Sequence, residues 1–156
     1  MTIRLSAVQC LRPDWFASGV LAVDTRGQGL IEITAEVRHF LEQAEAQDGV
    51  VLVFLRHTSA SLLIQENAAR EVRADLTMAL ERLAPEDAGW RHNSEGPDDM
   101  PAHVKAMLTG VCLNVPVSGG ALALGTWQGM FVAEHRDGAH RREVVLQFIG
   151  RRRPDR

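Results

Sequence analysis

The chain has 156 residues, of which 46% are hydrophobic and 24% charged, a size and balance typical of one globular domain and not of a disordered chain. Its formal net charge is −3, and its basic run is confined to residues 151–156, which excludes a broad electrostatic surface for nucleic acid. No apolar run reaches the length of a membrane span, and the start lacks a signal-peptide core. We therefore expect a cytoplasmic protein with no membrane partner, with one domain over residues 1–150 and a basic tail over 151–156.

The first half of the chain predicts alternating strands and helices. An opening segment and residues 29–34 have the pattern of strands, and residues 35–47 predict an amphipathic helix that Thr34 can cap. The apolar run at residues 50–55 predicts a strand buried on both faces. A second amphipathic helix follows Asn67, the residue that we expect to cap it.

The second half begins with a loop. Residues 87–101 are rich in Gly, Pro, Asn and Asp, and loops of this length inside a compact domain are usually lids or binding loops. Pro101 then predicts the start of a short helix that ends at Gly110. From residue 111 onwards the sequence alternates as antiparallel strands do. Helices in the middle and strands at both ends favour an α+β fold over a doubly wound sheet.

Four of the six histidines lie at the predicted ends of elements or in the long loop, namely His57, His92, His103 and His135. Imidazole is the commonest neutral metal ligand and acid–base group near neutral pH, so this placement indicates a metal or proton-transfer site. Spacing alone does not bring the four rings together, and the chain has no HExxH motif. Structural histidines with satisfied hydrogen bonds therefore stay as the alternative.

Carboxylates flank the same positions: Glu66, Asp75, Asp98, Asp99 and Glu134. Carboxylate oxygens suit Mg²⁺, whereas two or three imidazoles favour Zn²⁺, so both ions remain open. Asp98 and Asp99 precede the predicted short helix, where acidic residues also stabilise a helix N-terminus. For Asp75 the alternative interpretation is a position on the solvated face of a helix, outside the site.

Residues 125–129, with the sequence GTWQG, form the last unusual stretch. Two glycines permit close approach of a ligand to the backbone, which predicts a ligand-contacting strand around Thr126 and Gln128. A β-bulge with Trp127 in the core is the alternative. The chain contains neither GxxxxGK[ST] nor a strand-associated GxGxxG, so a phosphate-binding loop of those types is excluded.

Several strings together resemble the YjbQ family in order and spacing: HTSASLLIQENA, RADL, WRHN, GPDDMPAHVKAML, ALALGTWQGMFVAEHRD and VVLQFIG. GPDDMPAH and LALGTWQG are long, polar and unusual, and the resemblance spans about residues 20–150. It implies an α+β sandwich of two sheets, with two main helices and a short third one, that assembles as a homotrimer.

The resemblance also implies an activity similar to that of secondary thiamine-phosphate synthases. Such a transferase would join a pyrimidine diphosphate to a thiazole phosphate and release pyrophosphate, so we expect a phosphorylated small-molecule substrate and a divalent metal ion, zinc or magnesium. Two alternatives stay open, a metal-dependent phosphate-ester hydrolase and a non-catalytic trimer that binds a metal or another ligand.

Transferred position by position, the resemblance marks three sets of residues. The expected metal ligands are His57, His103 and His135. The expected catalytic residues are Glu66, His92, Asp98 and His103. The expected substrate-binding residues are Thr58, Ser59, Asn67, Asp75, Asp99, Thr126 and Gln128.

Overall fold

A computed structural model describes residues 2–154 of the chain. In chain order its elements are β1 (Trp15–Asp24), β2 (Gly29–Glu32), α1 (Thr34–Gln43), β3 (Ala46–Leu55), β4 (Ala60–Glu66), α2 (Arg70–Leu83), α3 (Asp99–Thr109), β5 (Cys112–Ser118), β6 (Ala121–Leu122), β7 (Gln128–Glu134) and β8 (Arg141–Arg152). Within residues 2–154, no helix has the length and apolar character needed to cross a membrane.

The strands form two antiparallel sheets. The larger sheet has the order β1-β8-β3-β5-β6, and the smaller one has the order β2-β7-β4. A continuous apolar core contains Val53 and Phe148 from the larger sheet, Leu62 and Val132 from the smaller one, and Leu41 from α1. The predicted α+β class with two sheets and three helices is confirmed.

Strand β8 shows how the sequence pattern produces this arrangement. Val144, Leu146 and Phe148 alternate with less buried residues, so that one face of the strand supplies the core. Arg142 has the same parity as these three residues and is likewise buried, with 1% of its surface exposed. One charged side chain therefore lies on the inner face of a core strand.

Neither helix cap expected from the sequence is formed. Thr34 is the first residue of α1, and its hydroxyl donates to Glu32 Oε1 at 2.9 Å and accepts the Met130 N–H at 2.9 Å. Helix α2 begins only at Arg70, while the Asn67 side-chain amide donates to Glu32 Oε1 at 3.3 Å. Both side chains therefore bind residues of the smaller sheet, Glu32 and Met130, and are not used to cap a helix.

Two helix boundaries also differ from the prediction. Helix α1 ends at Gln43, before residue 47, because Glu45 adopts a positive φ of 51° and the chain enters β3 at Ala46. Helix α3 begins at Asp99, two residues before Pro101, so the preceding loop is shorter than expected.

The predicted strand at 125–129 and the predicted tail also need correction. Residues 125–127 form a turn before β7, and Trp127 is 65% exposed, so it does not belong to the core. Strand β8 continues through Arg152, which places the first two tail residues in the larger sheet. Residues 155 and 156 of the predicted tail lie outside the described residues.

We expect the glycine pair of Gly49 and Gly150 to be essential for the pairing of β3 with β8. A Cβ atom on Gly150 would overlap the Asp48 carbonyl oxygen and lie 2.7 Å from Phe148 Cζ. Gly150→Ala should therefore lower the free energy of unfolding by about 1–3 kcal/mol through overpacking. Chemical denaturation measures this change.

Gly19→Ala is the matched control in the same sheet. Its Cβ would meet only the movable ring of Phe40, at 3.3 Å, so stability should change by less than about 1 kcal/mol. Equal losses of stability in the two variants would show that close backbone packing at Gly150 does not require a glycine.

Candidate metal centre

A buried ion pair organises one end of the two sheets. Arg142 donates from Nε and Nη2 to the two carboxylate oxygens of Glu134, the last residue of β7, at 2.7 and 2.6 Å. The same carboxylate accepts the Thr25 hydroxyl at 2.8 Å and the backbone N–H groups of His135 and Arg136 at 3.0 Å. Burial raises the pKa of Glu134, but the hydrogen bonds from Arg142, the Arg136 backbone and Thr25 outweigh it and hold that pKa below its ordinary value.

The ion pair is linked to His57 through one buried serine. Arg142 Nη2 donates to the Ser59 hydroxyl oxygen at 3.4 Å, and both the backbone N–H and the hydroxyl of Ser59 lie 3.1 Å from His57 Nδ1. Burial, followed by the charge of Arg142, lowers the pKa of His57 below its ordinary value. His57 and Thr58 are themselves exposed and follow the end of β3 at Leu55 by two and three residues.

A second cluster forms where the long loop meets α3. His92 Nε2 lies 2.8 Å from Asp99 Oδ2, and His103 Nε2 lies 3.4 Å from the same oxygen. One ligand-type atom from each of these three residues lies within 4.8 Å of the other two. Ligand atoms about 2.0–2.1 Å from a tetrahedral ion lie roughly 3.3 Å apart, so the cluster has nearly the dimensions of a metal site.

Arg136 fixes the orientation of the cluster's carboxylate. Its Nη1 donates to Asp99 Oδ1, its Nε donates to Asp98 Oδ2 at 2.8 Å, and its Nη2 donates to the Glu95 carbonyl at 2.7 Å. Asp98 Oδ2 also accepts the Asp137 N–H at 2.9 Å. Asp98 therefore binds Arg136 and the following loop and does not cap α3, while Asp99 presents Oδ2 to the two histidines.

The tautomer of His103 follows from its second nitrogen. His103 Nδ1 lies 3.0 Å from the Thr58 carbonyl oxygen, and a carbonyl oxygen can only accept a hydrogen bond. Nδ1 therefore carries a proton, and in the neutral ring Nε2 presents its lone pair to Asp99. Metal-binding histidines commonly donate their other ring N–H to a backbone carbonyl in this way.

His135 belongs to a separate, buried hydrogen-bond network. Its Nε2 lies 2.8 Å from the Ser61 hydroxyl, which is 2.6 Å from the Thr109 hydroxyl, and Thr109 donates to the Lys105 carbonyl at 2.7 Å. Burial, followed by the charge of Lys105, lowers the pKa of His135 to about 4. The Lys105 ammonium is itself buried and donates to Gln28 Oε1 at 3.0 Å, and its burial lowers its pKa.

The ligand set expected from the sequence is thus not the set that the fold assembles. Among residues 2–154, the cluster with metal-site dimensions is formed by His92, Asp99 and His103. His57 is oriented by Ser59, and His135 is bonded within its own network. Of the three expected ligands, only His103 takes part in the cluster, because the other two rings extend from different strand ends.

Five further candidates lie away from the cluster. Glu66 and Gln128 face each other in the register of β4 and β7, six residues from the end of β7 at Glu134, a distance of roughly 20 Å along a strand. Close to that far end are Asn67, whose backbone N–H donates to the Trp127 carbonyl, and Thr126. Asp75 is exposed on α2, and none of the described residues forms a hydrogen bond or ion pair with its side chain. The fold of a single subunit therefore does not place these five residues in the cluster.

Arg136 and Arg142 were not predicted as site residues from the sequence. The alternation of β8 could have identified Arg142, because it places this residue on the same inward-facing side as Val144. A buried charged residue at such a position must be paired. Arg136 follows His135 in a loop and carries no comparable pattern. Its role appears only when the loop and α3 are placed together.

The fold and the site together define a class: a two-sheet α+β protein whose candidate centre is a His-Asp-His cluster at the start of α3. The family model described as UPF0047 protein YjbQ-like matches residues 20–151, and the chain belongs to this family. It is 42% identical over 132 residues to a UPF0047 protein of Synechocystis sp., which covers 84% of this chain and 90% of the relative.

Two further comparisons agree with this assignment. The UPF0047 protein YjbQ of Salmonella typhimurium is 37% identical over 131 residues, which is 83% of this chain and 95% of the relative. The crystal structure of a hypothetical protein from Aeropyrum pernix superposes with a TM-score of 0.80 at 28% identity, covering 86% of this chain and 99% of that one.

These comparisons correct the expected activity. The family description and the names of these relatives state membership of UPF0047 or a hypothetical protein, and none of them states a reaction. The prediction of a thiamine-phosphate synthase activity is therefore wrong, since family membership carries no such reaction.

The buried His135 makes stability depend on pH in a definite direction. The pKa is about 4 in the folded protein and about 6.5 in an unfolded chain, so between these values the unfolded chain binds one more proton. The free energy of unfolding should therefore fall as pH decreases from 6.5 to 4, by about 3 kcal/mol from this group.

Denaturation curves at several pH values test this dependence. His135→Gln retains a side-chain N–H for Ser61 but does not titrate, so its stability should fall less steeply over this range. His39→Gln on α1, where the side chain of His39 is 67% exposed, is the control and should behave as the unchanged protein does. Equal slopes for all three proteins would contradict the assignment.

Proposed function

We propose that this protein binds a divalent, zinc-like metal ion through His92, Asp99 and His103, and that the metal centre carries its function. Three protein ligands of the two-histidine, one-carboxylate type leave coordination positions for a small exogenous ligand. An ion held in this way acts as a Lewis acid that polarises that ligand.

The observation that carries the proposal is the direction of the His103 ring. Because Nδ1 donates to Thr58, the neutral ring places its Nε2 lone pair 3.4 Å from a carboxylate oxygen. Two electron-rich atoms at this distance repel each other unless a cation lies between them or Nε2 is protonated. A metal ion relieves the repulsion and uses the atoms already present.

The charge of the surroundings favours a cation. Asp98 and Asp99 share one guanidinium, that of Arg136, so the three groups carry a formal charge of −1. Arg136 occupies only Oδ1 of Asp99 and leaves Oδ2 to the histidines. A second-shell partner of this kind orients a ligating carboxylate and does not compete for the same oxygen.

Titration of the metal-free protein with Co²⁺, followed by its visible spectrum, tests the site. His92→Ala, Asp99→Asn and His103→Ala should each weaken binding by at least on the order of 10²-fold, because loss of a ligand costs more than the 10–100-fold typical of outer-shell partners. Zinc competition should give the same ranking.

Three control variants sharpen this titration. His57→Ala, His135→Ala and His39→Ala should leave the Co²⁺ affinity unchanged, since these rings lie outside the cluster. If the cluster variants only lower the melting temperature while Co²⁺ binds as before, the three residues fasten the loop to α3 and the proposed site fails. A loss of affinity in His57→Ala and His135→Ala would restore the ligand set expected from the sequence.

We also propose that the chain assembles as the homotrimer that the resemblance implies, through the outer face of the larger sheet. In the strand register, Phe16 lies beside Ile149. Val145 lies between Val20 on one neighbouring strand and Phe54 on the other. Phe16, Val20, Phe54 and Ile149 are 40–60% exposed. Ser18 and Gln147 lie between these two apolar rows. An exposed face with several large apolar side chains is typical of a protein–protein contact.

Light scattering at micromolar concentration should give about three times the 17.2 kDa mass of one chain. Phe16→Lys combined with Phe54→Lys should reduce the mass to that of one chain, because charges in the contact would be desolvated without partners. Leu83→Lys, at an apolar position at the end of α2 that is 66% exposed, should not change the mass. A monomeric unchanged protein would refute the assembly.

A further inference from the structure

A cavity of about 470 Å³ opens beside the proposed metal site. Its polar end is formed by His57, Thr58 and His103, and its apolar wall by Ala106, Met107 and Val111. His103 belongs both to the cluster and to the cavity, so the cavity adjoins the cluster through this one residue. The volume falls in the range of small-molecule sites.

His57 presents a hydrogen-bond donor at the polar end. The Ser59 backbone N–H lies 3.1 Å from His57 Nδ1 and can only donate, so Nδ1 is the accepting nitrogen and the neutral ring carries its proton on Nε2. The Ser59 hydroxyl lies at the same distance from Nδ1, and within residues 2–154 no group hydrogen-bonds to Nε2 of this ring. Burial and the charge of Arg142 lower the pKa of His57, which favours the neutral form of the ring.

We propose that this cavity binds a small molecule with one oxygen-bearing anionic head group and a compact apolar body. One head-group oxygen completes the coordination of the metal, and a head-group oxygen accepts the hydrogen bond of His57 Nε2–H. The apolar body packs on Ala106, Met107 and Val111. This inference rests on the proposed metal site and adds the chemical class of its ligand.

The residues of the cavity disfavour a polyanion. None of the described residues that line it is Lys or Arg, so a diphosphate would have only the metal ion to balance its charge. By contrast, the apolar wall offers favourable burial to a hydrocarbon body, and Met107, which is 76% exposed, is a flexible side chain able to close over it. A singly charged head group, such as a carboxylate, matches this balance.

Paired hydroxamates bound to the Co²⁺-loaded protein test the inference, with the visible spectrum as the readout. Acetohydroxamate and benzohydroxamate share the metal-binding head, but only the second has an apolar body. We expect benzohydroxamate to bind at least about tenfold more tightly, since burial of a ring provides more than the 1.4 kcal/mol that this ratio requires.

Variants assign the two halves of the site. Met107→Ser should reduce the preference for benzohydroxamate, whereas Leu108→Ser, an exposed neighbour on α3 outside the cavity, should leave it unchanged. His57→Ala should weaken both hydroxamates by about tenfold through loss of the hydrogen bond, while its Co²⁺ affinity stays unchanged. His57→Gln, which retains a side-chain N–H, should recover part of the loss.

The outcomes separate this inference from the proposed function. If Co²⁺ does not bind to the cluster, the metal site itself fails, and the ligand inference falls with it. If Co²⁺ binds but the two hydroxamates bind equally well, or Met107→Ser and His57→Ala have no effect on them, the ligand class is wrong and the metal site stands.

Discussion

The buried pair of Glu134 and Arg142 is the interaction on which this end of the molecule depends. Its carboxylate joins β7 to β8 and also accepts hydrogen bonds from Thr25, His135 and Arg136. Breaking one partner of such a pair leaves an uncompensated buried charge, at a cost of about 3–5 kcal/mol. The strand ends around it are thereby held in one arrangement, and the candidate site is built on those ends.

Two arginines orient the side chains of the candidate site. Arg142 reaches Ser59 and so orients His57, while Arg136 holds the two aspartates at the start of α3. The exposed rings of the candidate site are therefore fixed by charges that are themselves largely buried. Rigid outer-shell partners of this kind keep ligand atoms at metal-binding distances.

The two histidines excluded from the cluster show that similar placement in sequence leads to different chemistry. His135 is buried among hydroxyl groups, and desolvation makes its charged form unfavourable. His57 is exposed, yet Ser59 determines which of its nitrogens accepts a hydrogen bond. Both residues have polar neighbours in the sequence, but only their surroundings in the fold distinguish a structural ring from a hydrogen-bond donor in a cavity.

The sequence by itself determined the α+β class, most elements and the region of the site, because strand alternation, helical periodicity and turn residues act over a few positions. It also contained one part of the cluster, since Asp99 and His103 are four residues apart and share a face of α3. Only the tertiary structure brought His92 to that pair, turned Arg136 onto Asp99 and directed His57 and His135 elsewhere. Closure of the long loop and packing between strands distant in sequence decide these positions, and local patterns carry no information about either.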